Sequence, residues 1–144
     1  MRNMRDPMTI NPSLLLVDDE RGILTIVERF LQRRGFRVSA CANVVAALEA
    51  AERETFDVAV LDRTLKGDDG LQLAQTLQCI QPQLRIIMLS GHADPQSRAE
   101  AGEVGVFEYL TKPCGLSDLE NSVRKACEAV AEAYKGEVTI SALA

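Results

Sequence analysis

The sequence predicts an α/β fold, in which a five-stranded parallel sheet is covered by helices on both faces. Two observations lead to this prediction. Five short apolar runs alternate with five helical patterns along the chain, which is typical of right-handed β-α-β crossovers. Four of those apolar runs also lead into polar residues, and ligands bind at the carboxyl ends of the strands in sheets of this kind.

The first strand is predicted at Ser13–Val17, a short apolar run of the kind found in buried parallel strands. A helix is predicted over Glu20–Arg34, because its apolar residues recur at intervals of three and four and form one face. Gly35 follows as the expected C-cap, since glycine readily adopts the left-handed backbone conformation that often ends a helix.

The second strand is predicted at Phe36–Ala40, and because it contains Arg37 and Ser39 we expect it at an edge of the sheet. Its helix should begin after Asn43, whose side chain can accept a hydrogen bond from the first helical turn. The predicted apolar stripe of this second helix consists of Val44, Val45, Leu48 and Ala51.

The third strand is predicted at Asp57–Leu61, and a loop that contains Gly67 and Gly70 follows it. The next helix should end before Pro82, because proline cannot continue a helix. The fourth strand then runs from about Arg85 to Leu89. The apolar stripe of the third helix is predicted to consist of Leu71, Ala74, Leu77 and Ile80.

The fourth helix, near Pro95–Val104, has the weakest amphipathic pattern in the chain. The fifth strand is predicted at Val106–Leu110. The last helix is expected to open with a capping box at residues 117–120, which read Ser-Asp-Leu-Glu. Its apolar stripe is predicted to consist of Leu116, Leu119, Val123, Ala126 and Val130.

The composition fits one domain with a full core, because 47% of the 144 residues are hydrophobic. The net charge of −5 argues against direct binding of nucleic acid, which usually needs a basic surface. The four cysteines are widely spaced and predict neither a zinc site nor a disulfide framework. Reduced thiols and the lack of an apolar run of roughly 18 residues predict a cytoplasmic protein without membrane spans.

Polar side chains follow four of the predicted strands. Asp18 and Asp19 follow the first strand, Asp62 the third, Ser90 the fourth, and Lys112 comes just after the fifth. In a parallel sheet we expect these side chains to meet at one edge. Adjacent carboxylates repel and favour a cation between them, and oxygen ligands without histidine or cysteine indicate Mg²⁺ or Mn²⁺. The ammonium and hydroxyl groups suit a phosphoryl group.

Four blocks of sequence contain these residues. They are Leu15-Leu16-Val17-Asp18-Asp19-Glu20, Val60-Leu61-Asp62, Met88-Leu89-Ser90-Gly91 and the run from Gly105 to Pro113. Each block alone is a weak signal, but all four in this order closely resemble the receiver domain of two-component response regulators. The resemblance covers about residues 13–130. It implies a flavodoxin-like, doubly wound (βα)5 fold with a five-stranded parallel sheet of order 2-1-3-4-5.

The resemblance also implies which residues bind metal and phosphate. Asp62 would accept the phosphoryl group. Asp19 and Asp62 would bind Mg²⁺ directly, Asp18 would bind it through water, and the backbone carbonyl of Thr64 would be a further ligand.

The remaining site residues would transmit the modification to the surface. Ser90 and Lys112 would contact the phosphoryl group, and Tyr109 would turn inward when Ser90 moves toward it. The surface formed by helix four, strand five and helix five would then change for partner binding.

The chain departs from the family just after the acceptor, where many receivers have Met-Pro. This chain instead has Arg63-Thr64-Leu65-Lys66. Without the proline the loop is less fixed, and Thr64 lies near the route of an attacking water. We expect these changes to affect the lifetime of the phosphoryl group and the choice of kinase, and to leave the acceptor itself unchanged.

The chain is expected to have three parts, namely a flexible tail at residues 1–12, a receiver domain at residues 13–130, and the end of the last helix with a tail or linker stub at residues 131–144. The last part is too short for an output domain. The protein would therefore act alone through protein contacts or form part of a longer chain.

The resemblance implies a histidine kinase or phosphotransfer protein as the phosphoryl donor, with an unidentified downstream partner or output domain. From the acidic net charge and the lack of a long apolar run, we expect no direct contact with nucleic acid or membrane. A homodimer through helices four and five stays open. One alternative is a pseudo-receiver that binds partners without being phosphorylated. Another is a small phosphohydrolase with Asp62 as nucleophile, similar to the haloacid-dehalogenase phosphatases. That family, however, has a second aspartate where Thr64 stands, and it places its acidic pair late.

Overall fold

The computed structural model describes residues 11–92 and 94–143, with side chains up to residue 133. Residues 1–10 of the predicted tail lie outside the described residues. The strands are β1 (Ser13–Val17), β2 (Arg37–Cys41), β3 (Val58–Asp62), β4 (Thr64–Leu65), β5 (Asp68–Asp69), β6 (Arg85–Ser90) and β7 (Glu108–Thr111). The helices are α1 (Arg21–Arg33), α2 (Val44–Arg53), α3 (Gly70–Ile80), α4 (Pro95–Val104) and α5 (Leu116–Leu143).

Five of these strands form one parallel sheet in the order β2-β1-β3-β6-β7. Counting only the strands of this sheet, the order is 2-1-3-4-5, so the predicted fold is confirmed. The central strands β1 and β3 are fully buried, whereas the outer strands β2 and β7 are mostly half-buried. The predicted edge position of the second strand is therefore also confirmed.

The helices cover the two faces of the sheet and form two hydrophobic layers. Helices α1 and α5 pack on one face through residues such as Leu24, Leu31 and Val123. Helices α2, α3 and α4 pack on the other face through residues such as Ala47 and Leu77. Burying both faces explains why the sheet strands read as nearly continuous apolar runs.

Several local predictions are confirmed, and others are wrong. Asn43 caps α2 by accepting the N–H of Ala46 at 2.8 Å, and Gly35 follows α1 with a φ of 97°. Val45, however, is 66% exposed, because α2 faces the sheet with small residues, Ala47 among them. The predicted capping box is also wrong, since α5 already begins at Leu116.

The loop after β3 contains an unpredicted hairpin. Strands β4 and β5 pair antiparallel, with Thr64 opposite Asp69 and Leu65 opposite Asp68. The tight turn between them needs Gly67, which has a φ of 81°. The hairpin holds the chain next to the end of β3, where the predicted site lies.

Helix α4 is the most weakly packed of the helices, as its sequence indicated. Asp94 caps it by accepting the N–H of Ser97 at 2.9 Å, and Gly105 ends it with a φ of 89°. All ten of its residues are described, and Ala101 is the one that is buried. Separately, no helix in the described part of the chain is both long and apolar enough to span a membrane.

Candidate functional site

Three carboxylates meet at the carboxyl edge of the sheet. Asp18, Asp19 and Asp62 each place an oxygen within 4.8 Å of the others. Asp18 is 4% exposed and Asp62 is 6% exposed, and Asp19 is half-buried. Their strands are neighbours, with Val17 opposite Leu61, so the residues that follow are brought side by side.

Backbone N–H groups hold each of the three carboxylates in place. The N–H of Glu20 donates to Asp18 at 2.9 Å, that of Lys66 to Asp19 at 3.0 Å, and that of Thr64 to Asp62 at 3.1 Å. Hydrogen bonds to ionised groups are among the stronger ones in proteins. The unpredicted hairpin therefore supplies a donor to Asp19, and the predicted ligand Thr64 lies directly beside the cluster.

Lys112 is the cation of this site. Its Nζ lies 2.8 Å from Asp62 Oδ2 and 3.8 Å from Asp18 Oδ2. Its backbone N–H donates to the Ser90 carbonyl at 2.7 Å, which fixes it beside β6, and its peptide bond with Pro113 is cis. The predicted juxtaposition of a lysine with the acidic cluster is therefore present.

Burial and charge shift two pKa values in the site. Burial raises the pKa of Asp18, although the N–H of Glu20 and the ammonium of Lys112 favour its ionised form. Burial opposes the charged form of Lys112, but the hydrogen bond and charge of Asp62, with the charge of Asp18, raise the pKa of Lys112. The pocket therefore holds excess negative charge that one ammonium only partly compensates.

Ser90 and Tyr109 occupy adjacent strands on the other side of Asp62. Ser90 is 1% exposed at the end of β6, and its Oγ accepts the N–H of His92 at 3.0 Å. The hydroxyl of Tyr109 donates to the His92 carbonyl. The loop after β6 therefore touches both predicted switch residues.

The donor set fits a hard divalent cation. The group contains three carboxylates and neither histidine nor cysteine, and Mg²⁺ and Mn²⁺ favour oxygen ligands. Such a cation would neutralise the excess negative charge, and Asp18, Asp19 and Asp62 are the residues that would hold it.

Replacing Lys112 with alanine should tighten the binding of Mg²⁺, because the ammonium beside Asp18 and Asp62 competes with the cation for the same charge. We expect an affinity gain of roughly tenfold, the order expected for one nearby charge under partial screening. Isothermal titration calorimetry with MgCl₂ measures it. The matched control is Lys66→Ala, which keeps the backbone N–H that donates to Asp19. An unchanged or weaker affinity in Lys112→Ala would contradict the competition.

Two contacts made by residues near Asp62 were not predicted. A Cβ on Gly70 would lie 2.3 Å from the Asp62 carbonyl oxygen, so only glycine fits this approach of α3 to β3. The guanidinium of Arg63 lies 3.3 Å from Asp69 and 3.5 Å from Glu100 of α4. Neither contact has a local sequence pattern, because each depends on how distant segments pack.

The fold and the acidic site define a signalling module. The family model of the response regulator receiver domain matches residues 14–124, and the chain belongs to this family. The identification made from the four sequence blocks is therefore confirmed.

Similar proteins agree with this assignment. The transcriptional activator protein PfeR of Pseudomonas aeruginosa is 37% identical over 110 residues, which are 76% of this chain and 36% of that protein. The photosynthetic apparatus regulatory protein RegA of Rhodobacter capsulatus is 31% identical over 118 residues, which are 82% of this chain and 64% of that protein. The chain thus spans less than two thirds of the length of these relatives.

A solved structure is also similar. It is a response regulator protein from Burkholderia pseudomallei with a phosphorylated aspartic acid, calcium ion and citrate. That chain is 30% identical, and the superposition has a TM-score of 0.73 and covers 91% of this chain and 75% of that one.

Proposed function

We propose that this domain accepts a phosphoryl group on Asp62 from a histidine kinase or phosphotransfer protein, in a reaction that depends on Mg²⁺. The observation that carries the proposal is the surrounding of Asp62. Its buried carboxylate lies 2.8 Å from the Lys112 ammonium and within 4.8 Å of two further carboxylates. The similar Burkholderia pseudomallei protein, which has a phosphorylated aspartic acid, supports the same chemistry here.

In the proposed reaction a carboxylate oxygen of Asp62 attacks the phosphorus of the donor. A new oxygen–phosphorus bond forms, the bond between phosphorus and the donor atom breaks, and the donor atom keeps the electron pair. Mg²⁺ held by Asp18, Asp19 and Asp62, with the carbonyl of Thr64 as a further ligand, would neutralise the charge of the phosphoryl oxygens.

The chain's own residues orient the reactants. The N–H of Thr64 holds one Asp62 oxygen at 3.1 Å, which leaves the other oxygen beside Lys112. The ammonium of Lys112 would move from Asp62 to an oxygen of the transferred group, so it would stay paired with a negative charge throughout the reaction. Thr64 would also lie near the route of the water that later hydrolyses the acyl phosphate.

The output would be a change of the α4–β7–α5 surface. The Ser90 hydroxyl would donate a hydrogen bond to the new phosphoryl group, and the loop after β6 would move with Ser90. That loop contacts Tyr109 through the His92 carbonyl, so the two movements would be coupled. The changed surface would bind a downstream protein or output domain, or a second copy through α4 and α5.

We further propose that the domain turns over no external substrate beyond its own slow dephosphorylation, that it works in the cytoplasm, and that it contacts neither nucleic acid nor membrane. Hydrolysis of a small phosphomonoester at a steady rate would contradict the first point and favour the phosphohydrolase alternative.

The proposal is tested by the intact mass of the protein after incubation with acetyl phosphate and Mg²⁺, with an EDTA-treated sample in parallel. We expect the gain of one phosphoryl mass with Mg²⁺ and no gain with EDTA. Without any gain, binding of beryllofluoride decides the outcome. Binding would mean that the phosphoryl group is lost too fast to detect, whereas no binding would overturn the proposal in favour of a pseudo-receiver.

A further inference from the structure

The residue after Asp62 connects the acidic site to helix α4. Nη2 of Arg63 lies 3.5 Å from Glu100 Oε2, and Nε lies 3.3 Å from Asp69 Oδ1. The backbone of Arg63 is fixed, because its N–H donates to the Leu89 carbonyl at 2.7 Å. The backbone of Arg63 is therefore held at the end of β3, and its side chain reaches helix α4, which follows β6 in the chain.

Helix α4 depends on such polar contacts because it has little apolar packing. Ala101 is its one buried residue, so few buried side chains oppose a shift of the helix. A second arginine contacts β7 from α4, with Arg98 donating to Thr111 Oγ1 at 3.0 Å and lying 5.1 Å from the ring centre of Tyr109. Polar contacts therefore connect α4 to the residue next to Asp62 and to the strand that carries Tyr109. These are the two places that the proposed reaction would alter.

The guanidinium of Arg63 is also unusually placed. Its side chain is 17% exposed, and Nη1 is buried without a hydrogen-bond partner among the described residues. In such partly buried surroundings, solvent screens a neighbouring charge less than it does at the surface. Phosphorylation would replace the single negative charge of the Asp62 carboxylate with roughly two on the phosphoryl group, and this added charge would compete with Glu100 for the Arg63 cation.

We propose that the Arg63–Glu100 ion pair is a latch that holds α4 in its resting position and that phosphorylation of Asp62 weakens it. Arg63 is then a positioning residue, and this connection is separate from the one through Ser90 and Tyr109. The inference rests on the proposed phosphorylation of Asp62. It gives a role to the residue at which this chain departs from the Met that often follows the acceptor in receivers.

The test is amide hydrogen exchange of peptides from α4, measured by mass spectrometry with Mg²⁺ alone and with Mg²⁺ and beryllofluoride. In the unchanged protein, beryllofluoride should speed exchange in α4. Glu100→Gln should already exchange about two- to threefold faster without beryllofluoride, as expected for one part-exposed ion pair, and the further increase on adding it should fall to about half or less. The matched control Glu103→Gln, an exposed carboxylate on the same helix, should behave like the unchanged protein.

A second pair of variants separates charge from packing. Arg63→Lys keeps a cation and should retain much of the response to beryllofluoride, whereas Arg63→Met keeps an apolar side chain and should lose it. A normal response in Glu100→Gln would overturn the latch, and so would a change in resting exchange without any change in the response. If the unchanged protein does not bind beryllofluoride at all, the proposed phosphorylation fails, and the latch fails with it.

Discussion

Replacing Asp62 with asparagine should abolish the gain of a phosphoryl mass while leaving the fold intact. The amide oxygen can still accept the N–H of Thr64, so the strand end keeps its geometry. The nucleophilic carboxylate is lost, however, and an amide is too weakly nucleophilic to attack phosphorus. Intact mass after incubation with acetyl phosphate and Mg²⁺ measures the loss, and circular dichroism checks the fold.

The matched control for this change is Asp68→Asn, which makes the same substitution on an exposed carboxylate of the nearby hairpin. It should take up phosphate like the unchanged protein. Uptake that survives in Asp62→Asn would show that another side chain is the acceptor. Loss of uptake in both variants would mean that net charge around the site, rather than the Asp62 carboxylate, governs the reaction.

Replacing Gly70 with alanine should lower the free energy of unfolding by about 2–3 kcal/mol, the order found when a well-packed region is overfilled. The added Cβ would meet the carbonyl oxygen of Asp62 at 2.3 Å and the Cα of Arg63 at 2.9 Å. Both are backbone atoms, so no side chain can rotate away and β3 or α3 must shift. Because the shift includes the backbone of Asp62, phosphoryl uptake should also slow. Urea unfolding and the rate of mass gain measure the two effects.

Gly102→Ala is the control for that prediction. Gly102 also lies in a helix, but nothing lies within 4 Å of its added Cβ. Alanine has the higher helix propensity, so this variant should unfold at the same urea concentration as the unchanged protein or at a higher one. Equal stability of Gly70→Ala and the unchanged protein would show that α3 can move away from β3 without cost.

The sequence was sufficient for the sheet and for the residues at its edge, because both depend on local patterns. Each central strand is a buried apolar run, and in a parallel sheet the residues after such runs must share one edge. The proximity of Asp18, Asp62 and Lys112 follows from that topology alone. The weak packing of α4 was predictable for a similar reason, since few apolar side chains can bury little area.

Other features could not be predicted, because they depend on contacts between distant segments. The stripe of α2 was misjudged at Val45, because a helix can pack closely through alanines that carry little hydrophobic signal. The need for Gly70 arises only when α3 approaches β3, and the Arg63–Glu100 pair joins residues 37 positions apart in the chain. The hairpin of β4 and β5 has only two residues in each strand, too few for an alternating pattern to appear.

Because of the order of the strands, the centre of the sheet is rigid and its β7 edge can move more easily. Asp62 ends a central strand whose five residues are all buried, so any displacement there would disturb neighbours on both sides. Tyr109 lies on the edge strand β7, where the side chains are half-buried and where, among the described residues, only β6 pairs beside it. A small structural change at Asp62 in the central strand can therefore lead to a movement of the edge strand β7. Under the proposed function, the outer surface can also diversify by substitution without altering the chemistry at Asp62, so that one reaction can serve different signalling outputs.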